Sequence, residues 1–182
     1  MATTKIQAAP QTAKRSFSAG SVISAIGRWI VRNRIYLIAF AIPAVLTYLA
    51  YALFGLYPFG EESVLCLDLN GQYVYYFEAL RDAFWGDGSI FYNWSRNLSG
   101  EFMGIIGYYL ASPFTLIVML LPEKFMLSSL LIMQLCKLGA AGATFNYFLQ
   151  KRRGVQPYPS LLFSTMYAMM AYGVIQLIDP MW

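Results

Sequence analysis

Four long apolar runs, and the polar stretches between them, govern the reading of this chain. The first strong run, IYLIAFAIPAVLTYLAYALFGLYPF at 35–59, carries no charge and exceeds the ~20 residues that cross a bilayer core. Pro43 is tolerable inside it, because neighbouring helices can satisfy the backbone groups it frees. The second run, FMGIIGYYLASPFTLIVMLLP at 102–122, is long enough to span. It is also broken by Ser112-Pro113, opened by glycines and bounded by Glu101 and Glu123. A third run covers 125–149 and ends at Lys151-Arg152-Arg153, and a fourth covers 158–178 and ends at Asp179-Pro180. The pattern predicts an all-α integral membrane protein. Between the first two runs lies a polar connection at 60–101. Within it QYVYYFEALRDAFW, 72–85, places Tyr73, Tyr76, Phe77, Leu80 and Phe84 at helical spacing, which predicts an amphipathic helix after an Asn70-Gly71 turn.

Composition agrees with the pattern. Charged residues make up only 12% of the chain against about 25% in a soluble domain, so the apolar runs are membrane material. Histidine is absent, which excludes His-based triads and ordinary zinc sites. Cys66 falls in a polar connection and Cys136 in an apolar run, so the two make neither a disulfide framework nor a metal signature.

The position of the charges sets the topology. Residues 1–34 carry Lys5, Lys14, Arg15, Arg28, Arg32 and Arg34 and no acid, so they read as a cytoplasmic basic tail. Its first twenty residues lack apolar periodicity and read as disordered. Residues 21–34 form either a surface helix with Trp29 at headgroup level or a plain pre-membrane stretch. The AYA at 50–52 has the form of a signal-peptidase site, but the apolar run continues past it, which favours an uncleaved anchor. The cluster Lys151–Arg153, in a loop at 150–157, also belongs in the cytoplasm. Two crossings, 35–59 and 125–149, satisfy both ends. The segment 102–122 then becomes a re-entrant or interfacial hairpin on the outer side, and 158–178 a third span. Irregular backbone at membrane depth implies a packed cavity beside it.

All the acids except Asp179 gather between Glu61 and Glu123. Asp68 stands among Leu65, Leu67 and Leu69, where the first span leaves the membrane. A carboxylate there is costly without a partner, and a raised pKa would suit a general base; the competing reading is a turn-former before Asn70-Gly71. Glu78 and Asp82 read as the solvated face of the amphipathic helix. The stretch 89–104 mixes aromatic rings with amides and hydroxyls, which suits sugar rings and equally a membrane-interface aromatic belt. It holds Asn93 and Trp94, and the glycosylation sequons NWS at 93–95 and NLS at 97–99. Lys137 lies mid-span beside Gly139–Ala143, which permits close helix approach. An intramembrane lysine points to a lipid phosphate or a carboxylate on another helix, or else it snorkels.

Asp68 with Gln72-Tyr73, then FYNWSRNLSGEFMGIIGYYLASPF, LLP, and a Lys-Leu-Gly-Ala run ahead of YFL, together resemble the N-terminal part of the bacterial YfhO family over residues 60–182. That resemblance implies a GT-C-like N-terminal part: a multi-pass protein of the bacterial plasma membrane that uses a polyprenyl-phosphate sugar donor outside the cytoplasm. Some family members are linked to sugar decoration of teichoic acids. Asp68 matches the acid of the first outer loop, which implies a catalytic role. Gln72, Tyr73, Asn93, Trp94 and Lys137 are the expected donor- or acceptor-binding residues. Many GT-C enzymes carry an acid pair where this chain has Asp68-Leu69-Asn70, so no metal site is assigned and no cofactor is named. Family proteins are far longer, so the chain is expected to be a fragment of a longer protein and inactive alone.

The leading expectation is therefore part of a membrane glycosyltransferase whose partners are a lipid-linked sugar donor, a cell-envelope polymer such as teichoic acid, and membrane lipids, with no nucleic acid. The alternatives are a non-catalytic transporter or lipid-handling component, and a small membrane protein without chemistry. Topology is checked by cysteine labelling from outside the cell. Ser89→Cys should react with an impermeant reagent and Gly154→Cys should not; reaction of the latter would make 102–122 a true crossing.

Overall fold

The computed structural model describes residues 19–95 and 100–179. Two units divide the chain at Arg34 and Ile35. In the first, the described residues are helical, and Ile23, Ile26, Trp29 and Val31 are exposed. The helix α1 runs over Ala19–Leu53, so it covers the 21–34 stretch as well as most of the expected first span. No glycine or proline lies between Gly27 and Pro43 to interrupt its hydrogen-bond ladder. It ends at Leu53 rather than 59 because Gly55 takes the left-handed conformation, φ 65°. The Leu56 N–H then donates to the Tyr51 carbonyl at 2.9 Å and the Gly55 N–H to that of Ala52 at 3.3 Å, which closes the orphan carbonyls of the last turn.

After a loop, the chain enters a π-helical turn at Leu69–Tyr73 and continues as α2, Val74–Trp85. Asn70 and Gly71 lie inside this turn, which corrects the expected reverse turn before the helix. The stripe of α2 is also narrower than expected. Leu69, Tyr73, Phe77 and Leu80 are buried, but Phe84 is exposed. A minimal antiparallel ladder comes next, with β1 at Tyr92–Asn93 and β2 at Gly100–Glu101. The sequon at 97–99 lies outside the described residues.

The run 102–122 is not one helix. It folds as α3, Met103–Ile105, a π turn at Ile106–Leu110, a break, and α4, Thr115–Leu120. Pro113 has no N–H to carry a helix through the break, and Ala111 leaves helical geometry at ψ 51°. The Glu101 carboxylate accepts from the Gly104 N–H at 2.7 Å, placing negative charge at the start of α3. These pieces, α2 and the upper part of α5 (Met126–Arg153) share one core: Leu69, Tyr73, Phe77 and Leu80 meet Phe102, Ile105, Leu110, Val118 and Met119, with Leu130 and Met133 beneath.

Two helices are long and apolar enough to cross a membrane, Gly20–Leu53 and Glu123–Arg153. Half of the most apolar window of the second is buried inside the protein against 17% for the first, so α5 is the central span. A third span exists if α6 (Pro157–Ala168) and α7 (Ala171–Ile175, extended to Ile178 by a 3-10 turn) count as one. They are bent by 48° at Met169–Met170, where a straight span over 158–178 was expected. No glycine or proline marks that break.

Membrane-depth contacts between helices are polar or small. The Tyr51 hydroxyl donates to Gln134 Oε1 at 2.9 Å, and Gln134 Nε2 donates to the Leu177 carbonyl at 3.0 Å. Asn146 Nδ2 donates to Ser160 and Ser164 at 3.1 and 3.3 Å, joining α5 to α6. Pro43 cannot donate to the Ala39 carbonyl four residues back, and Gly142 of α5 packs against that carbonyl. A Cβ at Gly142 would collide with backbone, whereas one at Gly139 would meet the Phe40 ring, a side chain that can turn. Gly142→Ala should therefore destabilise the protein by about 1–3 kcal/mol through overpacking, and Gly139→Ala by less. Thermal unfolding in detergent checks the order.

Candidate functional site

The face of α2 opposite the core lines a hollow of about 330 Å³. Positions 72, 75, 79 and 82 follow helical spacing, so Gln72, Tyr75 and Asp82 share that face, with Tyr76 and Glu78 at its margins. Asn93 of β1 and Phe102 close it from the other side. The Asn93 Oδ1 is held by the Ser95 N–H at 2.7 Å. An adjoining hollow of about 210 Å³ shares Asp82, Asn93 and Ser95 and adds Asp87, Tyr92 and Trp94. The Trp94 ring meets Tyr92 edge-on at 4.8 Å and is otherwise exposed. Both hollows together offer carboxylates, amides and aromatic faces. Among the described residues no basic side chain lines either one.

Asp68 sits one helical turn before Gln72, and its Oδ1 accepts from Gln72 Nε2 at 3.2 Å. It reaches the rim of the hollow through that bond. The apolar flanks do not bury it: Leu69 enters the core, Leu65 packs against it, and Asp68 itself is exposed. Leu67, just before it, is exposed and holds φ at 47°, a left-handed conformation costly for a branched side chain. That kink lets Leu65 and Leu69 both face inward.

The expected binding residues therefore separate. Gln72 and Asn93 meet in the larger hollow, and Trp94 stands at the smaller one. Tyr73 does not join them. It is buried in the core with its ring 5.5 Å from that of Tyr109, because the position that spaces it from Leu69 and Phe77 turns it inward. Lys137 lies elsewhere, lining a cavity of about 540 Å³ beside α5. Glu78 is the residue the sequence undervalued. Its face is half-buried rather than solvated, and burial raises its pKa, with the charges of Glu123 and Asp82 adding to the rise. Glu123 lies forty-five positions away, which no local spacing announces. Among the described residues no three acidic or thiol groups come together as a metal site.

A raised carboxyl pKa means the folded protein holds a proton that the unfolded chain releases. Stability contributed by Glu78 thus falls as pH rises from the ordinary carboxylate value through the raised one. Asp82→Asn and Glu123→Gln should each move the Glu78 pKa part of the way back, and neither should restore it fully because burial is the largest cause. Titration of the Glu78 carboxyl carbon by NMR measures this.

Nothing among curated proteins matches the chain, and no solved structure matches it. The family model for the bacterial membrane protein YfhO matches residues 39–182, which takes in every residue of both hollows and of the cavity at Lys137. With two membrane-length helices and a helical body, the chain belongs to the YfhO family of bacterial membrane proteins.

Proposed function

We propose that this chain takes part in sugar transfer, from a polyprenyl-phosphate donor to a hydroxyl of a cell-envelope polymer such as teichoic acid, at the outer face of the bacterial plasma membrane. The observation that carries the reading is the hollow on α2, where Gln72, Glu78, Asp82 and Asn93 converge beside aromatic rings and Asp68 bonds to Gln72. Sugars present apolar ring faces and hydroxyl rims. Tyr75, Tyr92 and Trp94 offer surfaces for the former, and the amides and carboxylates offer partners for the latter.

The chemistry asks little of the protein beyond placement and a base. The acceptor hydroxyl gives its proton to a carboxylate as its oxygen attacks the anomeric carbon. The bond from that carbon to the phosphate oxygen breaks, and the electron pair leaves with the lipid phosphate. The sugar is inverted in the process. Asp68 is the proposed base: it is exposed to an incoming hydroxyl, and Gln72 fixes one oxygen while leaving the other open. Gln72 is a positioning residue for it.

General-base assistance is typically worth about 10²–10⁴-fold. In cells carrying the complete gene, Asp68→Asn should lower transfer by that order while membrane insertion is unchanged. Gln72→Leu should cost less and act through Asp68, so it should add little to Asp68→Asn. Polymer decoration is assayed by mass spectrometry of the isolated polymer. Normal decoration in Asp68→Asn cells would overturn the reading.

A further inference from the structure

The cavity beside Lys137 is a second site. Two interruptions of helix meet there. Ser112 and Phe114 come from the break between α3 and α4, and Ala168 and Met170 from the bend between α6 and α7. Both reach Lys137, which lies near the middle of α5, about 16 Å along it from Met126 at ~1.5 Å per residue. That is roughly half the ~30 Å hydrocarbon thickness. Irregular backbone at such depth is tolerated only against protein or a polar cavity, and paired broken helices at mid-membrane recur where ligands bind. The breaks are therefore coherent with one another: each leaves backbone and short side chains, rather than a helix, facing the same space.

The chemistry of the walls selects the ligand. Lys137 is a cation, and among the described residues no carboxylate lines the cavity. Gln176 also lines it, and its Oε1 is buried with no hydrogen-bond partner among the described residues, so it can accept from a hydroxyl. Phe114, Leu138, Tyr167 and Met170 supply apolar surface. An anion carrying an O–H, attached to an apolar tail, matches all three features. We infer that this cavity binds the phosphate end of a membrane lipid, with Lys137 on the phosphate and the tail along α6–α7. The inference rests on the transfer reading only in naming that lipid as the donor; the cavity itself argues for the phosphate.

The test is binding to the purified full chain in detergent, measured by native mass spectrometry and thermal shift. The probes are geranylgeranyl phosphate, geranylgeraniol and inorganic phosphate. The lipid phosphate should bind best. Lys137→Met should weaken it by about tenfold or more, and Lys137→Arg should retain most of it. Ala141→Leu, which fills the cavity without touching the charge, should abolish it, so the test does not hang on one variant folding. Equal binding to the parent, Lys137→Met and Ala141→Leu proteins would overturn the site. Alcohol binding as tightly as the phosphate would reduce it to an apolar groove, and inorganic phosphate binding as tightly would make it a free-anion site; either result overturns the inference. Failure of the transfer reading shows separately, as normal polymer decoration in Asp68→Asn cells, and leaves these binding results untouched.

Discussion

The guanidinium of Arg81 holds the end of a helix too short to stand alone. From α2 it donates to the carbonyl oxygens of Val118, at 2.7 Å, and of Leu121, and more weakly to Met119; the Trp85 indole N–H adds a bond to Met119 at 3.0 Å. The last carbonyls of any helix lack partners within it, and a cation is the favoured partner there. The helix α4 has six residues, fewer than an isolated helix needs to form. Where water is excluded each unsatisfied carbonyl costs several kcal/mol. Arg81 and Trp85 satisfy this end, and so α4 can stop and the chain can turn back at Pro122.

That clamp sets the shape of both sites. Docking α4 on α2 brings Val118 and Met119 onto Phe77 and Leu80, and closes the core that also takes Phe102 and Leu110. With one face of α2 committed to this core, helical periodicity leaves Gln72, Tyr75 and Asp82 on the other, facing Asn93. The same docking carries the break at Ser112–Phe114 to α5, where Lys137 meets it. One side chain thus couples the hollow on α2 to the cavity beside α5.

The two sites are opposite in character. Among the described residues, the hollow on α2 has carboxylates and aromatic rings and no basic side chain, and the cavity by α5 has a lysine and no acid. A sugar phosphate on a lipid carrier is similarly divided, into a neutral ring and an anionic link. A phosphate would be repelled by Glu78 and Asp82, whereas a sugar ring would not. In the transfer reading this separation gives each part of the donor its own surroundings, and it gives the departing phosphate a cation rather than an acid as neighbour.

Much of this was written in the pattern of the chain. The apolar runs at 35–59 and 125–149 could only be membrane helices, because no other element satisfies its own backbone in lipid, and Pro113 had to interrupt any helix through 102–122. The spacing of Leu69, Tyr73, Phe77 and Leu80 defined a buried stripe in the same way. Tertiary structure decided the rest. It placed Tyr73 inside the core and Gln72 at the hollow, a choice one helical step apart that local pattern left open. It set Glu123 near Glu78 across forty-five positions, so a face that read as solvated became a crowded one. It gave Arg81, in sequence only one charge on an amphipathic helix, the carbonyls of another segment to hold. The bend at Met169–Met170 has no local signal at all. Periodicity reports which way a side chain points from its own helix; only packing reports what it meets there, because that depends on chain segments far apart in sequence.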